Sequence, residues 1–356
     1  MADRLVDSAA PGGAHETDAA IIGAGPVGLF AVFEFGLLGV RAHVVDSLER
    51  PGGQCAELYP EKPILDIPAI KSISGAELTQ RLLEQIAPFG ATFHLGETAS
   101  RLERLEDGRW RLATDRGTTI DCRALVIAAG GGSFTPKRPP IAGVEAFEGR
   151  SVFYAVRNRE MFRDRKVVVA GGGDSALDWT LDLAPIARRV ALVHRRDEFR
   201  AAPDSVARMR ALHAAGGIDL HIGEIDGLEG RGGALFAVRV RNASGARAVP
   251  ADMMLAFYGL TMKLGPIAAF GLNLDENRVR VDTERFETSE PGIFCIGDMA
   301  SYPGKLKLIL SGFHEAALMA HAAFHYVFPD RKLKFQHTTS AKSLQQIVAG
   351  TAPPDG

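Results

Sequence analysis

The chain has 356 residues, 46% hydrophobic and 24% charged, with a net charge of −2. That length predicts two domains rather than one core, and the near-neutral charge argues against a nucleic-acid partner. No apolar run reaches the roughly eighteen residues of a membrane span, and Cys55, Cys122 and Cys295 lie far apart with no CxxC spacing, so reduced thiols in a cytoplasmic protein are expected.

Residues 1–16 have neither a basic start nor an apolar core and read as a disordered leader. A buried strand, AAII at 19–22, then runs into Gly23, Gly25, Pro26 and Gly28, which complete GxGxxG at the head of a helix. The three glycines serve a tight turn, close approach of backbone to a pyrophosphate, and close helix–strand packing. The helix start supplies N–H groups and positive dipole to the phosphates. The next strand, RAHVVD, ends in Asp46, where a carboxylate accepts ribose hydroxyls and repels a 2′-phosphate.

Further along, SGAELTQRLLEQIA at 74–87 reads as a helix with a Ser74–Glu77 capping box, and Leu78, Leu82, Leu83 and Ile86 on one face. Short strands follow in ATFHLGE, WRLAT and TTIDC, then ALVIAAGGG at 124–132 ends in glycines. The Pro- and Gly-rich SFTPKRPPIAG reads as a crossing into a second domain. There the strand KVVVA leads into Gly171, Gly172, Gly173, Asp174 and Ser175, with Ala176 in place of the third glycine. His194 falls where the first turn has Asp46, and Arg195, Arg196 and Arg200 follow it. Guanidinium forks suit a 2′-phosphate, so this turn is expected to hold NADPH. The chain returns to the first domain near MLAFYGL at 254–260, and GIFCIGDMA at 292–300 is another buried strand, ending in Gly297-Asp298. His314, His321 and His325 recur at helical spacing, but no acid or cysteine completes a metal set.

Two nucleotide turns, one ending in an acid and one in arginines, imply an ADP-containing cofactor without a 2′-phosphate beside NADPH. FAD taking hydride from NADPH is the economical pairing.

In order, GAGPVG with Asp46, GGQ at 52–54, AAG at 128–130, GGGDSALDW, HRRDEFR and GDMA resemble the flavoprotein group that includes thioredoxin reductase. That group's redox CxxC is missing from the matching stretch VFYAVRNREMF at 152–162, which removes a dithiol relay. AELYPEK at 56–62 and QHTTSAKS at 336–343 narrow the resemblance to ferredoxin–NADP⁺ reductases of the thioredoxin-reductase-like type. The resemblance implies an α/β fold with two Rossmann-like dinucleotide-binding domains, three-layer β/β/α in type. The FAD-binding domain would span 17–134 and 256–340, the NADPH-binding domain 135–255, and a C-terminal tail 341–356. It further implies Tyr59 stacked on one flavin face and His337 covering the other. Gln54, Phe134, Asp298 and Thr339 would line the flavin site, and the backbone at Ala99 would contact the adenine. A homodimer is implied, with ferredoxin or flavodoxin as acceptor. Ferredoxins are acidic, so Lys305, Lys307, Arg157 and Arg159 are candidate docking cations. An NADPH-dependent quinone or small-molecule reductase of the same fold, and a flavin sensor without turnover, are the alternatives.

Overall fold

The computed structural model describes residues 7–333. The chain divides into two compact units: residues through Ser133 with those from Met262 onward, and Phe134–Thr261.

In the first unit, β1 (Asp7–Ser8), β3 (Ala19–Ile22), β4 (Ala42–Asp46), β5 (Thr92–Leu95), β9 (Ala124–Ile127) and β18 (Ile293–Cys295) form a parallel sheet. Its order is β1-β5-β4-β3-β9-β18. Every residue of AAII, ALVI and IFC is buried, as continuous apolar runs must be when both faces of a strand are covered. On one face lie helices α1 (Pro26–Leu37), α3 (Gly75–Ile86) and α6 (Ile309–Val327), packed around Ile21, Val44, Phe35, Leu83 and Phe294. The predicted cap of α3 is present: Glu77 N donates to Ser74 Oγ at 3.1 Å. On the other face, Ala20, Ile22 and Val45 meet Leu112 and Ile120. Those leucine and isoleucine side chains come from a second sheet, β2 (Gly13–Glu16), β6 (Ala99–Arg104), β7 (Trp110–Thr114) and β8 (Thr118–Cys122), ordered β2-β8-β7-β6.

Over residues 7–16 this corrects the expected disordered leader. Gly13–Glu16 pairs in parallel with Thr118–Asp121, and Asp7–Ser8 with Thr92–Phe93. The segment is mostly exposed and polar, so it carries little apolar signal. Backbone hydrogen bonds and one inward side chain hold it. That side chain is His15, whose ring centroid lies 5.5 Å from that of His43 on β4 and 4.9 Å from that of His94 on β5. His43 Nδ1 and His94 Nε2 are 3.0 Å apart. Burial, then the neighbouring imidazoles, hold His43 down to about 4, and burial lowers His94 as well.

The second unit repeats the layering. β10 (Val152–Phe153), β11 (Lys166–Ala170), β12 (Arg189–His194), β13 (Asp219–Ile222) and β17 (Met253–Ala256) form a parallel sheet ordered β10-β17-β11-β12-β13. Helices α4 (Asp174–Leu183) and α5 (Pro203–Ala214) cover one face, with Trp179, Leu183 and Met209 against Val167, Val169 and Leu192. The antiparallel β14 (Glu224–Arg231), β15 (Ala234–Asn242) and β16 (Gly245–Pro250) cover the other. The return expected near 254–260 comes later: Met253–Ala256 completes this sheet, and the unit runs on to Thr261. The connecting segments Ser133–Pro136 and Leu260–Lys263 pair as a two-stranded sheet. No helix among the described residues is long and apolar enough to cross a membrane.

Candidate functional site

The first turn is built by exclusion of side chains. Gly23 has φ +113°, and a Cβ there would stand 2.4 Å from Ala128 O. A Cβ on Gly28 would stand 1.9 Å from Gly23 O, so α1 starts against the turn. Gly25 caps α1 without a side-chain hydrogen bond, and Pro26 occupies the first helical position, where its missing N–H costs nothing. The first-turn N–H groups that lack an intrahelical acceptor are available to an anion. A second glycine pair, that of the GGQ at 52–54, completes the cradle. Gly52 N donates to Ala24 O at 2.8 Å, and a Cβ on Gly53 would lie 3.0 Å from Gly25 Cα.

Asp46 ends β4 beside this turn. Its Oδ2 accepts the Ala24 N–H at 2.6 Å and its Oδ1 the Leu48 N–H at 2.8 Å. Burial raises its carboxyl, and these two N–H groups oppose that rise. Each oxygen retains a second lone pair for a ribose hydroxyl. Ala99, buried at the head of β6, lies two residues beyond Glu97, whose N–H bonds Asp46 O at 3.0 Å.

Gln54, Cys55 and Tyr59 lie along and just after α2 (Gly53–Leu58), which opens at the glycine pair. The Tyr59 hydroxyl is 3.4 Å from Cys55 Sγ. Burial, followed by Cys55 and Asp298, pushes the tyrosine up, so it stays a neutral phenol. A Cβ on Gly130 would stand 3.6 Å from Gln54 Nε2, which sets the amide beside the glycines after β9. Asp298 sits in a single turn, Gly297–Met299, ahead of α6. Burial raises its carboxyl, against Lys305 and Lys307. Phe134 falls in the connector Ser133–Pro136, and its side chain lies outside the described residues, as do His337 and Thr339 entirely.

The second turn differs in what fills it. Gly171 has φ +148°, and a Cβ there would stand 2.8 Å from Phe257 O. The methyl of Ala176 would be 3.0 Å from that Cβ, so alanine fits the third glycine position. Gly172 lies under the His194 ring, which a Cβ would meet at 2.3 Å. Gly173 caps α4 with no side-chain hydrogen bond, and no protein atom lies within 4 Å of where its Cβ would be. Ser175 is exposed in the first turn of α4, whereas the Asp174 carboxylate is engaged, accepting Ala202 N–H at 2.8 Å. Arg200 N donates to Gly172 O at 2.8 Å, so the arginine loop folds back onto the glycine turn. Arg195, Arg196 and Arg200 are exposed and pair with no carboxylate among the described residues, while nearby Arg189 and Arg210 are paired to Asp219 and Asp197.

Lys305 is a correction. Its side chain is 2% exposed and pairs with Glu315, so it presents no charge to a docking partner. Arg159 pairs with Asp182 at 2.8 Å, and Lys307 is exposed.

Two parallel sheets, each headed by a glycine turn and covered in β/β/α layers, define a protein of two Rossmann-like dinucleotide-binding domains. The chain belongs to the pyridine nucleotide-disulphide oxidoreductase family, whose model matches residues 17–323. It is 59% identical over 334 residues to a ferredoxin–NADP reductase of Bradyrhizobium sp. (strain ORS 278), covering 94% of this chain and 98% of that protein. It is 60% identical over 331 residues to a ferredoxin–NADP reductase of Parvibaculum lavamentivorans, covering 93% and 96%. Its fold is similar to the thioredoxin reductase of T. acidophilum, with a TM-score of 0.74 at 22% identity over 87% of this chain and 98% of that one. The Lactococcus lactis thioredoxin reductase gives the same TM-score of 0.74 at 23% identity over 88% and 99%.

Proposed function

We propose that the chain is an NADPH-dependent flavoprotein reductase that passes electrons to ferredoxin or flavodoxin. The observation that carries this reading is the arginine loop: three exposed guanidinium groups with no carboxylate partner among the described residues, bonded through Arg200 N to a glycine turn with open space at Gly173. Such a site fits a 2′-phosphate with the pyrophosphate beside it. The name shared by the relatives that match nearly the full length supports the acceptor.

The first turn fits FAD, because its glycines leave backbone where side chains would stand and Asp46 disfavours a 2′-phosphate. FAD, when bound, takes a hydride from a nicotinamide and releases electrons one at a time. The chain's residues position it. Gly23–Gly28 and the start of α1 hold the pyrophosphate, Asp46 the ribose, and the backbone at Ala99 the adenine. Gln54, Phe134 and Asp298 line the flavin end. Tyr59, a neutral phenol, would lie against one ring face, and His337 with Thr339 would cover the other from the C-terminal tail, within a homodimer. Gly171–Gly173 receive the NADPH pyrophosphate, with Ser175 and the α4 N-terminus behind it. Asp174 acts by holding the arginine loop. The three cysteines are free and buried, so electrons leave without a sulfur relay, and a reducing cytoplasm suits them.

The test is anaerobic addition of NADPH to the FAD-loaded protein, followed by ferredoxin-dependent cytochrome reduction. Bleaching of the flavin and ferredoxin-dependent turnover are expected. Turnover with quinones but not with ferredoxin or flavodoxin would move the assignment to a quinone reductase. Failure of NADPH to bleach the flavin would leave a sensor.

A further inference from the structure

Glu315 lies in α6 with its side chain fully buried. Every bond it makes runs back to the segment just before the helix. Its Oε2 accepts the Gly297 N–H at 2.6 Å, and its Oε1 accepts the Tyr302 hydroxyl at 2.7 Å and the Lys305 ammonium. Lys305 is nearly as buried, and its Nζ also stands 5.4 Å from the Tyr302 ring centroid. One helical carboxylate thus ties down the Gly297–Met299 turn and neutralises a lysine beneath it.

Packing alone does not call for this arrangement. Two ions leave water at a large desolvation cost, and apolar residues of like volume hold a fold at least as well. The pair does place two opposite charges within electrostatic reach of Asp298, which both of them act on. In a low-dielectric interior such charges act strongly on a nearby group that changes its own charge.

We propose that Lys305 and Glu315 are positioning and potential-setting residues: Glu315 fixes the Gly297–Asp298 turn against the flavin, and the balance of the two charges sets the ring's reduction potential. This rests on the reading that FAD binds at that turn. The two charges must then act in opposite senses. Glu315→Gln leaves a buried cation, which favours the reduced, anionic ring. Lys305→Met leaves a buried anion, which disfavours it.

The experiment measures flavin potentials of the FAD-loaded variants by equilibration with redox dyes. Glu315→Gln is expected to shift the potential positive and Lys305→Met to shift it negative. The double variant, without either charge, should return close to the parent value. Tyr302→Phe, which removes a hydrogen bond and no charge, should leave it in place. Shifts of one sign, or none, in the two single variants would overturn the proposal. In Lys305→Met, Glu315 keeps its bonds from Gly297 and Tyr302, so this variant is the one expected to fold if Glu315→Gln does not. Its negative shift then decides alone, and an unchanged or positive potential refutes. A parent protein that takes up no FAD would refute the flavin reading beneath it instead.

Discussion

Asp46 Oδ2 stands 2.6 Å from the Ala24 amide nitrogen, so the carboxylate proposed to hold a ribose also closes the glycine turn proposed to hold the phosphates. Hydrogen bonds to a charged group are worth about 1.5–3 kcal/mol. Asp46→Ala should therefore weaken FAD binding about tenfold or more, and it should also lower the melting temperature of the flavin-free protein. Asp46→Asn should do less of both, because its amide oxygen still accepts one N–H. Titration of apoprotein with FAD, beside a thermal melt, separates the two effects.

Two glycines that look alike in the sequence should respond differently. Gly28→Ala drives a methyl to 1.9 Å from Gly23 O and should destabilise the protein by about 1–3 kcal/mol or more. Gly173 has φ −101° and no protein atom near its Cβ position, so Gly173→Ala should melt like the parent. Its methyl would instead stand where a pyrophosphate approaches, raising KM for NADPH and NADH alike. A stable Gly173→Ala protein with unchanged KM values would place the nucleotide elsewhere.

The arginines should act on one cofactor only. Arg195→Ala with Arg196→Ala should raise KM for NADPH by tenfold or more, at about 1.5–3 kcal/mol per lost charged contact. KM for NADH, which lacks the 2′-phosphate, should barely move. Equal rises for both would show that these side chains do not read that phosphate.

Buried His43, packed against His15 and His94, should make stability depend on acid. His43 is held down to about 4 in the fold, against 6.5 for an ordinary imidazole. The unfolded chain therefore binds protons first as the pH drops. Stability from this site is complete above 6.5 and falls as the pH descends toward 4. A melting temperature that declines through this window, with a shallower decline in His43→Phe, is the expected result. A decline of the same steepness in both would assign the acid sensitivity to other groups.

Both glycine turns are legible in the chain because steric need forces one residue type at fixed offsets, with a strand before and a helix after. Asp46 and the arginines follow, since they lie at or soon after the end of a strand whose apolar run is plain. What stays hidden depends on partners distant in sequence. Gly52 and Gly53 gain meaning only against Ala24 and Gly25. Lys305, in the run KLK, looks like surface charge until folding brings it to Glu315. The strand at Gly13–Glu16 is held by backbone pairing to Thr118–Asp121, which leaves almost no trace in side-chain pattern.

The pairing of Ser133–Pro136 with Leu260–Lys263 brings the way in and the way out of the second unit side by side. A module whose two ends meet can be removed or exchanged as a cassette without unthreading its host. Nucleotide preference in this architecture is then open to replacement by transplanting one continuous stretch of gene, leaving the flavin scaffold's sequence untouched.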